Sequence, residues 1–167
     1  ASYAALPGVL PAALTSQDDA LGQIAAKLAD EPSILVLGSG PNEDVARCLA
    51  MCYLQEMQWM NAAAFNAGEF LHGAFEVVTE STPVILFLGR DVTRPVAERA
   101  GRFLDKYTKL AYRIDAAGLD LPGVAEQSYA EIDPIVLGST AVRLAQHFEA
   151  VTGHSLDLRR YMFKVEY

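Results

Sequence analysis

Two short runs, Ser33–Leu37 (SILVL) and Pro83–Leu88 (PVILFL), are almost wholly apolar, with no alternation of wet and dry positions. A strand with one solvated face alternates; one without alternation must be covered on both faces. Both runs therefore predict buried parallel strands. Helix-period segments lie around them. Ser16–Ala29 carries Leu21, Ile24, Ala25 and Leu28 on one stripe, with Ser16 as cap and Pro32 as stop. Further helices are expected at about Glu43–Trp59, at Thr93–Tyr107 with Pro95 in its first turn, and at Ile135–Thr152 before Gly153. Weaker strands are expected at Asn61–Ala67 and Leu110–Ile114, with Gly68–Gly73 as a turn. Strands alternating with helices imply an α/β fold, a mostly parallel sheet in a three-layer αβα sandwich. Ligands on such sheets sit beyond the carboxyl ends of the strands. The expected organisation is a connector over residues 1–14, containing Pro7 and Pro11, a domain over 15–152, and a tail over 153–167 rich in Arg, Tyr and Lys.

Charge narrows the function. The chain of 167 residues carries a net charge of -8, which disfavours nucleic acid and anionic membrane surfaces as partners. No apolar run approaches the ~20 residues needed to span a bilayer. Cys48 and Cys52, four apart on a helix, read as small core residues in a reducing compartment, and no second Cys pair completes a zinc site. Acidic composition with two free thiols fits the cytoplasm.

Three places can carry chemistry. Val45, Leu49, Cys52, Glu56 and Trp59 fall on one stripe of the second helix. A carboxylate on such a stripe is either paired or used, and desolvation makes a carboxylate a better base. Alternatively Glu56 sits at the stripe's edge and reaches water. His72 lies in AGEFLHG between Gly68 and Gly73, where the backbone can approach a ligand closely, or is simply a solvated loop residue. The tail gathers Arg159, Arg160 and Lys164 with Tyr161 and Tyr167, either to hold a phosphate or carboxylate or as a solvated terminus. The turn Gly38-Ser39-Gly40 can offer backbone N–H groups to an anion, although Glu43 and Asp44 behind it would repel one, which favours a plain strand-to-helix turn. Its spacing is not that of a dinucleotide loop. His147 and His154 read as residues without chemistry.

The stretch LAMCYLQEMQWMNAAAFNAGEFLHGAFEVVTESTPVI, residues 49–85, resembles the second sugar isomerase (SIS) domain in the isomerase part of glucosamine-6-phosphate synthase. A Glu followed sixteen residues later by the His of an AGE-x-x-HG turn carries the likeness, and the resemblance implies the flavodoxin-like SIS fold. FLGRDVTRPVAERAGRFLDKY and the ending RRYMFKVEY are more similar to the fructosamine-6-phosphate deglycases, which act on phosphorylated Amadori compounds. By that resemblance Glu56 is the general base, His72 the general acid, and no metal or organic cofactor is implied. The family's ring-opening Lys falls on Tyr161, with Lys164 three residues on; these two, together with Ser39 of the strand-to-helix turn, are the candidate substrate contacts. The family's S-x-S-G-x-T phosphate loop has no counterpart, since LFLG is followed by RDVTRP. The resemblance therefore implies the catalytic half of a two-domain deglycase for ketosamine 6-phosphates, inactive as a fragment. It also implies a homo-oligomer whose active site lies at a subunit interface. An aldose-ketose isomerase and a non-catalytic sugar-phosphate-binding module are the alternatives.

Overall fold

Burial on both faces of the apolar runs is met by two layers of helices. The computed structural model describes residues 2–166, so Tyr167 of the tail cluster lies outside the described residues. The elements are α1 (Ser2–Leu28), β1 (Ile34–Gly38), α2 (Asn42–Arg47), β2 (Ala62–Asn66), α3 (Ala67–Phe70), β3 (Val84–Leu88), α4 (Arg94–Tyr107), β4 (Ala111–Asp115) and α5 (Tyr129–Thr152). The strands form one parallel sheet in the order β2-β1-β3-β4. Every residue of β1 and β3 is buried. Ile34 and Val36 face a core shared with α1, α2 and α5, whereas Leu35 and Leu37 face one shared with α3 and α4. This is the expected three-layer α/β sandwich. β1 and β3 are neighbours whose chains leave in opposite directions, so a topological switch point lies at their carboxyl ends.

Four elements differ from the sequence reading, the slightest being α3, a four-residue helix at Ala67–Phe70 where the start of a turn was expected. α1 begins at Ser2, not Ser16, and runs through Pro7 and Pro11 where an irregular connector was expected. A proline inside a helix costs about 3 kcal/mol, but Val9 and Ala13 are buried against Leu119, Leu121, Val124, Ile132 and Val136, and that packing offsets the cost. Ser16 is no cap; its hydroxyl donates to the Ala13 carbonyl. α5 likewise starts at Tyr129 and passes through Pro134. Most consequential, α2 does not continue as an α-helix to Trp59. From Cys48 to Met57 it becomes a π-helix, whose i→i+5 bonds wind more residues into each turn.

Candidate functional site

The π-helix rotates the stripe. Under α-helical periodicity Leu49, Cys52, Glu56 and Trp59 share a face; in the wider spiral Leu49, Leu54 and Gln58 turn inward, and Trp59 ends 40% exposed. Glu56 is moved from the core to its rim, with a quarter of its side chain exposed. The expected desolvated carboxylate is thus half-buried, at the wall of a cleft of about 390 Å³. Gln55, Trp59, Met60, Asn61, Arg159, Arg160, Tyr161 and Met162 complete that wall.

The tail closes this cleft, and the residues just after the π-helix hold it there. Gln58 Nε2 donates to the His154 carbonyl at 2.6 Å, and the Thr152 hydroxyl donates to Gln58 Oε1 at 2.8 Å. Trp59 adopts φ 56°, a left-handed conformation that costs a non-glycine residue about 1 kcal/mol or more. That turn sets its ring edge-on to His154, centroids 4.3 Å apart, and beneath the Arg160 guanidinium at 4.3 Å. Arg159 is the hinge between tail and carboxylate. Its Nη1 donates to the carbonyls of Leu156 and Leu158, and its Nε lies 2.9 Å from Glu56 Oε1. That separation is an ion pair, yet the Nε–H is not directed along a hydrogen bond to the carboxylate. Among the described residues, Arg159 Nε, His154 Nε2 and Asn42 Oδ1 are the buried side-chain polar atoms without a hydrogen-bond partner. Two of these three fall on the tail beside the cleft, and orphaned polar atoms call for a functional explanation. Nearby, burial and the neighbouring Cys48 push the Cys52 thiol up, which leaves it a poor nucleophile.

Of the expected site residues, Glu56 and Tyr161 meet in the cleft. Lys164 is exposed on the tail, and its Nζ donates to the Arg159 carbonyl rather than pointing at the cleft. His72 is exposed on the turn after α3 and does not line the cleft within one chain. Gly73 beside it is extended, with φ 172°, so no glycine-specific backbone shape is needed there. Ser39 is buried, its hydroxyl bonded to Thr93, away from the cleft lining. Sequence reasoning missed Gln58 and took His154 for a bystander. The sequence signals for this corner were Glu56 on an apolar stripe and the Arg159-Arg160-Tyr161 run in an acidic chain, and neither pointed to Gln58 or His154.

The switch point is built differently. Asp91 accepts from the Thr93 backbone N–H at 2.8 Å, from the Thr93 hydroxyl, and from Asn42 Nδ2 at 3.2 Å. Gly89 is required because a Cβ there would lie 2.2 Å from Asn42 Nδ2, and Gly40 because its φ is 52°. The donors that an anion would use are taken by the chain's own carboxylate. Arg90 pairs with fully buried Asp133 and lies over the Tyr129 ring, and Arg94 forks onto Asp115 at 2.8 and 2.7 Å.

The SIS domain family model matches residues 27–111. This chain belongs to the SIS family. The SIS domain is 39% identical to fructosamine deglycase FrlB of Bacillus subtilis (strain 168), over 97% of this chain and 49% of that protein. It is 29% identical to the glutamine–fructose-6-phosphate aminotransferase (isomerizing) of Chlorobaculum tepidum, over 90% of this chain and 26% of the relative. A solved Salmonella typhimurium LT2 structure described as a phosphosugar isomerase superposes with a TM-score of 0.94 at 31% identity, covering 99% of this SIS domain and 51% of that chain. The chain thus spans about half the length of the proteins it matches most fully. Its relatives are enzymes of phosphosugar deglycase and isomerase type.

Proposed function

We propose that this SIS domain is the catalytic half of a deglycase that cleaves a ketosamine 6-phosphate to a hexose 6-phosphate and a free amine. The observation that carries the reading is the Glu56 carboxylate at the wall of the tail-closed cleft, held by Arg159. Glu56 takes a proton from C1, which bears the nitrogen. His72 protonates the oxygen at C2, giving an enaminol. Reprotonation at C2 moves the double bond to C1 and nitrogen, giving an imine. Water adds at C1, the C–N bond breaks, and the amine leaves with the proton. The atoms balance with water as the only co-reactant. Since His72 does not line the Glu56 cleft of its own chain, the reading requires a second copy to deliver it, and the enzyme is a homo-oligomer with its site at a subunit interface. The fragment alone is expected to be inactive, because its switch point is occupied by Asp91 and offers no phosphate cradle.

The test is Glu56→Gln in the full-length protein, assayed for amine release from a ketosamine 6-phosphate. Loss of a general base lowers turnover by about 10²–10⁴-fold while the thermal unfolding curve stays in place; full activity of the variant ends the reading. The similarity to the isomerizing aminotransferase supports a second reading, carbonyl transfer between C1 and C2 by the same pair. Product analysis separates them, because only a deglycase frees an amine.

A further inference from the structure

We infer that Arg160, held over the Trp59 ring, is the specificity residue for a carboxylate carried by the amine half of the substrate; this rests on the deglycase reading above. The proposed chemistry fixes which end of the substrate faces this corner. Glu56 works at C1, and C1 bears the amine, whereas the phosphate lies at the far end of the six-carbon chain. A cation beside Glu56 therefore meets the amine substituent. Were it to bind the phosphate instead, C6 rather than C1 would lie against the base.

The two guanidiniums of the cleft are not equivalent. Arg159 is spent on the tail carbonyls and on Glu56. Arg160 lines the cleft with its carbon Cζ 4.3 Å from the Trp59 centroid, and among the described residues no carboxylate pairs with it. Stacking on an aromatic face fixes a guanidinium while leaving its in-plane N–H edge for a bidentate carboxylate. In a chain of net charge -8, an uncompensated Arg at a cleft wall selects for an anion. The neighbouring walls are Trp59, Met60, Tyr161 and Met162, apolar or aromatic surface suited to an aliphatic stem. The cleft's volume of about 390 Å³ lies within the range of small-molecule sites. Together these features fit a carboxylate carried on a short aliphatic stem.

The experiment compares two ketosamine 6-phosphates, one made from glycine and one from methylamine, which differ by the carboxylate alone. Amine release by the full-length protein gives kcat/KM for each. The wild type is expected to favour the glycine compound by about ten- to a hundredfold, the discrimination of a charge-assisted hydrogen-bonded pair. Arg160→Met should bring that ratio close to one, mainly through KM for the glycine compound. Arg160→Lys keeps the charge and should retain part of the preference; it also serves if the methionine variant does not fold. A wild-type ratio near one overturns the assignment. So does an equal loss on both substrates, which would mean that Arg160 binds the phosphate or only supports Trp59. Turnover of neither compound by the wild type removes the deglycase reading, and this inference with it.

Discussion

Two corners at opposite ends of the sheet, the β1–β3 switch point at its carboxyl end and the Glu56 cleft at its amino end beside Asn61, differ in how their polar groups are satisfied. At the switch point between β1 and β3, Ser39, Thr93, Asp91 and the Asn42 Nδ2 group bond one another, Asn42 Oδ1 is left without a partner, and Arg90 and Arg94 are locked to Asp133 and Asp115. At the end of the π-helix, a carboxylate, two guanidiniums and a strained Trp59 line a cleft, and the His154 imidazole, with an orphaned nitrogen, packs against Trp59. The first corner is where a doubly wound sheet ordinarily binds its ligand. Here it is a structural knot, and the proposed chemistry falls to a helix terminus and a tail. Position in a fold alone is thus a poor guide to the site; the state of the hydrogen bonds is a better one.

The contrast predicts a double dissociation. On the cleft side the largest effect is the loss of turnover at Glu56, with little change in stability. On the knot side the order reverses. Asp133 is fully buried and holds Arg90 through its side chain and its backbone N–H. Asp133→Ala leaves that guanidinium facing an uncompensated gap, and breaking a buried pair costs about 3–5 kcal/mol. Urea denaturation should report that loss; a shift of its midpoint equivalent to under 1 kcal/mol would show that the knot is not structural. Asp91→Ala should follow with a smaller loss, about 1–3 kcal/mol, because Asn42 and the Thr93 N–H lose their acceptor. Activity per folded molecule should hold in the Asp91 variant. A selective fall in turnover without loss of stability would place substrate at the switch point after all.

The frame of this contrast was legible in the sequence, and the decisive corner was only half so. Unalternating runs such as Val84–Leu88 can hardly be anything but central strands, so the sandwich follows from burial alone. Glu56 was found because a carboxylate interrupts an apolar stripe. Its environment was misjudged because the stripe was counted with α-helical periodicity, and a ten-residue π-helix turns Leu54 and Gln58 inward instead. No local residue preference announces that change; it is selected by the packing of Leu49 and Leu54 on the sheet. α1 was missed in its first half for a related reason. Pro7 and Pro11 argue locally for a connector, and only the distant Ile132 and Val136 outweigh them. The run RDVTRP after LFLG is in plain view, but that the Asp91 carboxylate takes up the donors of this turn depends on Asn42 and Thr93 folding around it.

The smallest expected effect concerns the seam that carries both corners. α1 is fastened to α5 by Asp18, which accepts from Arg143 Nε and Nη2 at 2.6 and 2.9 Å and lies 2.8 Å from His147 Nε2. The Arg143 hydrogen bonds, then that of His147, hold the Asp18 carboxyl well below the ordinary carboxylate range. A carboxyl depressed in the folded state contributes stability above its unfolded value, near pH 4, and loses that contribution as pH falls further. The seam is exposed, so solvent screens the pair and the effect is modest. Asp18→Asn should therefore lower the urea midpoint slightly at pH 7, and the gap to the wild type should narrow steadily below about pH 4. A gap that stays constant down to pH 3 would mean that packing of Leu21, Ile24 and Leu28, rather than the ion pair, fastens α1. Neither outcome should alter the ordering of the two corners, because the seam lies on the helical layer away from both the cleft wall and the Asp91 knot.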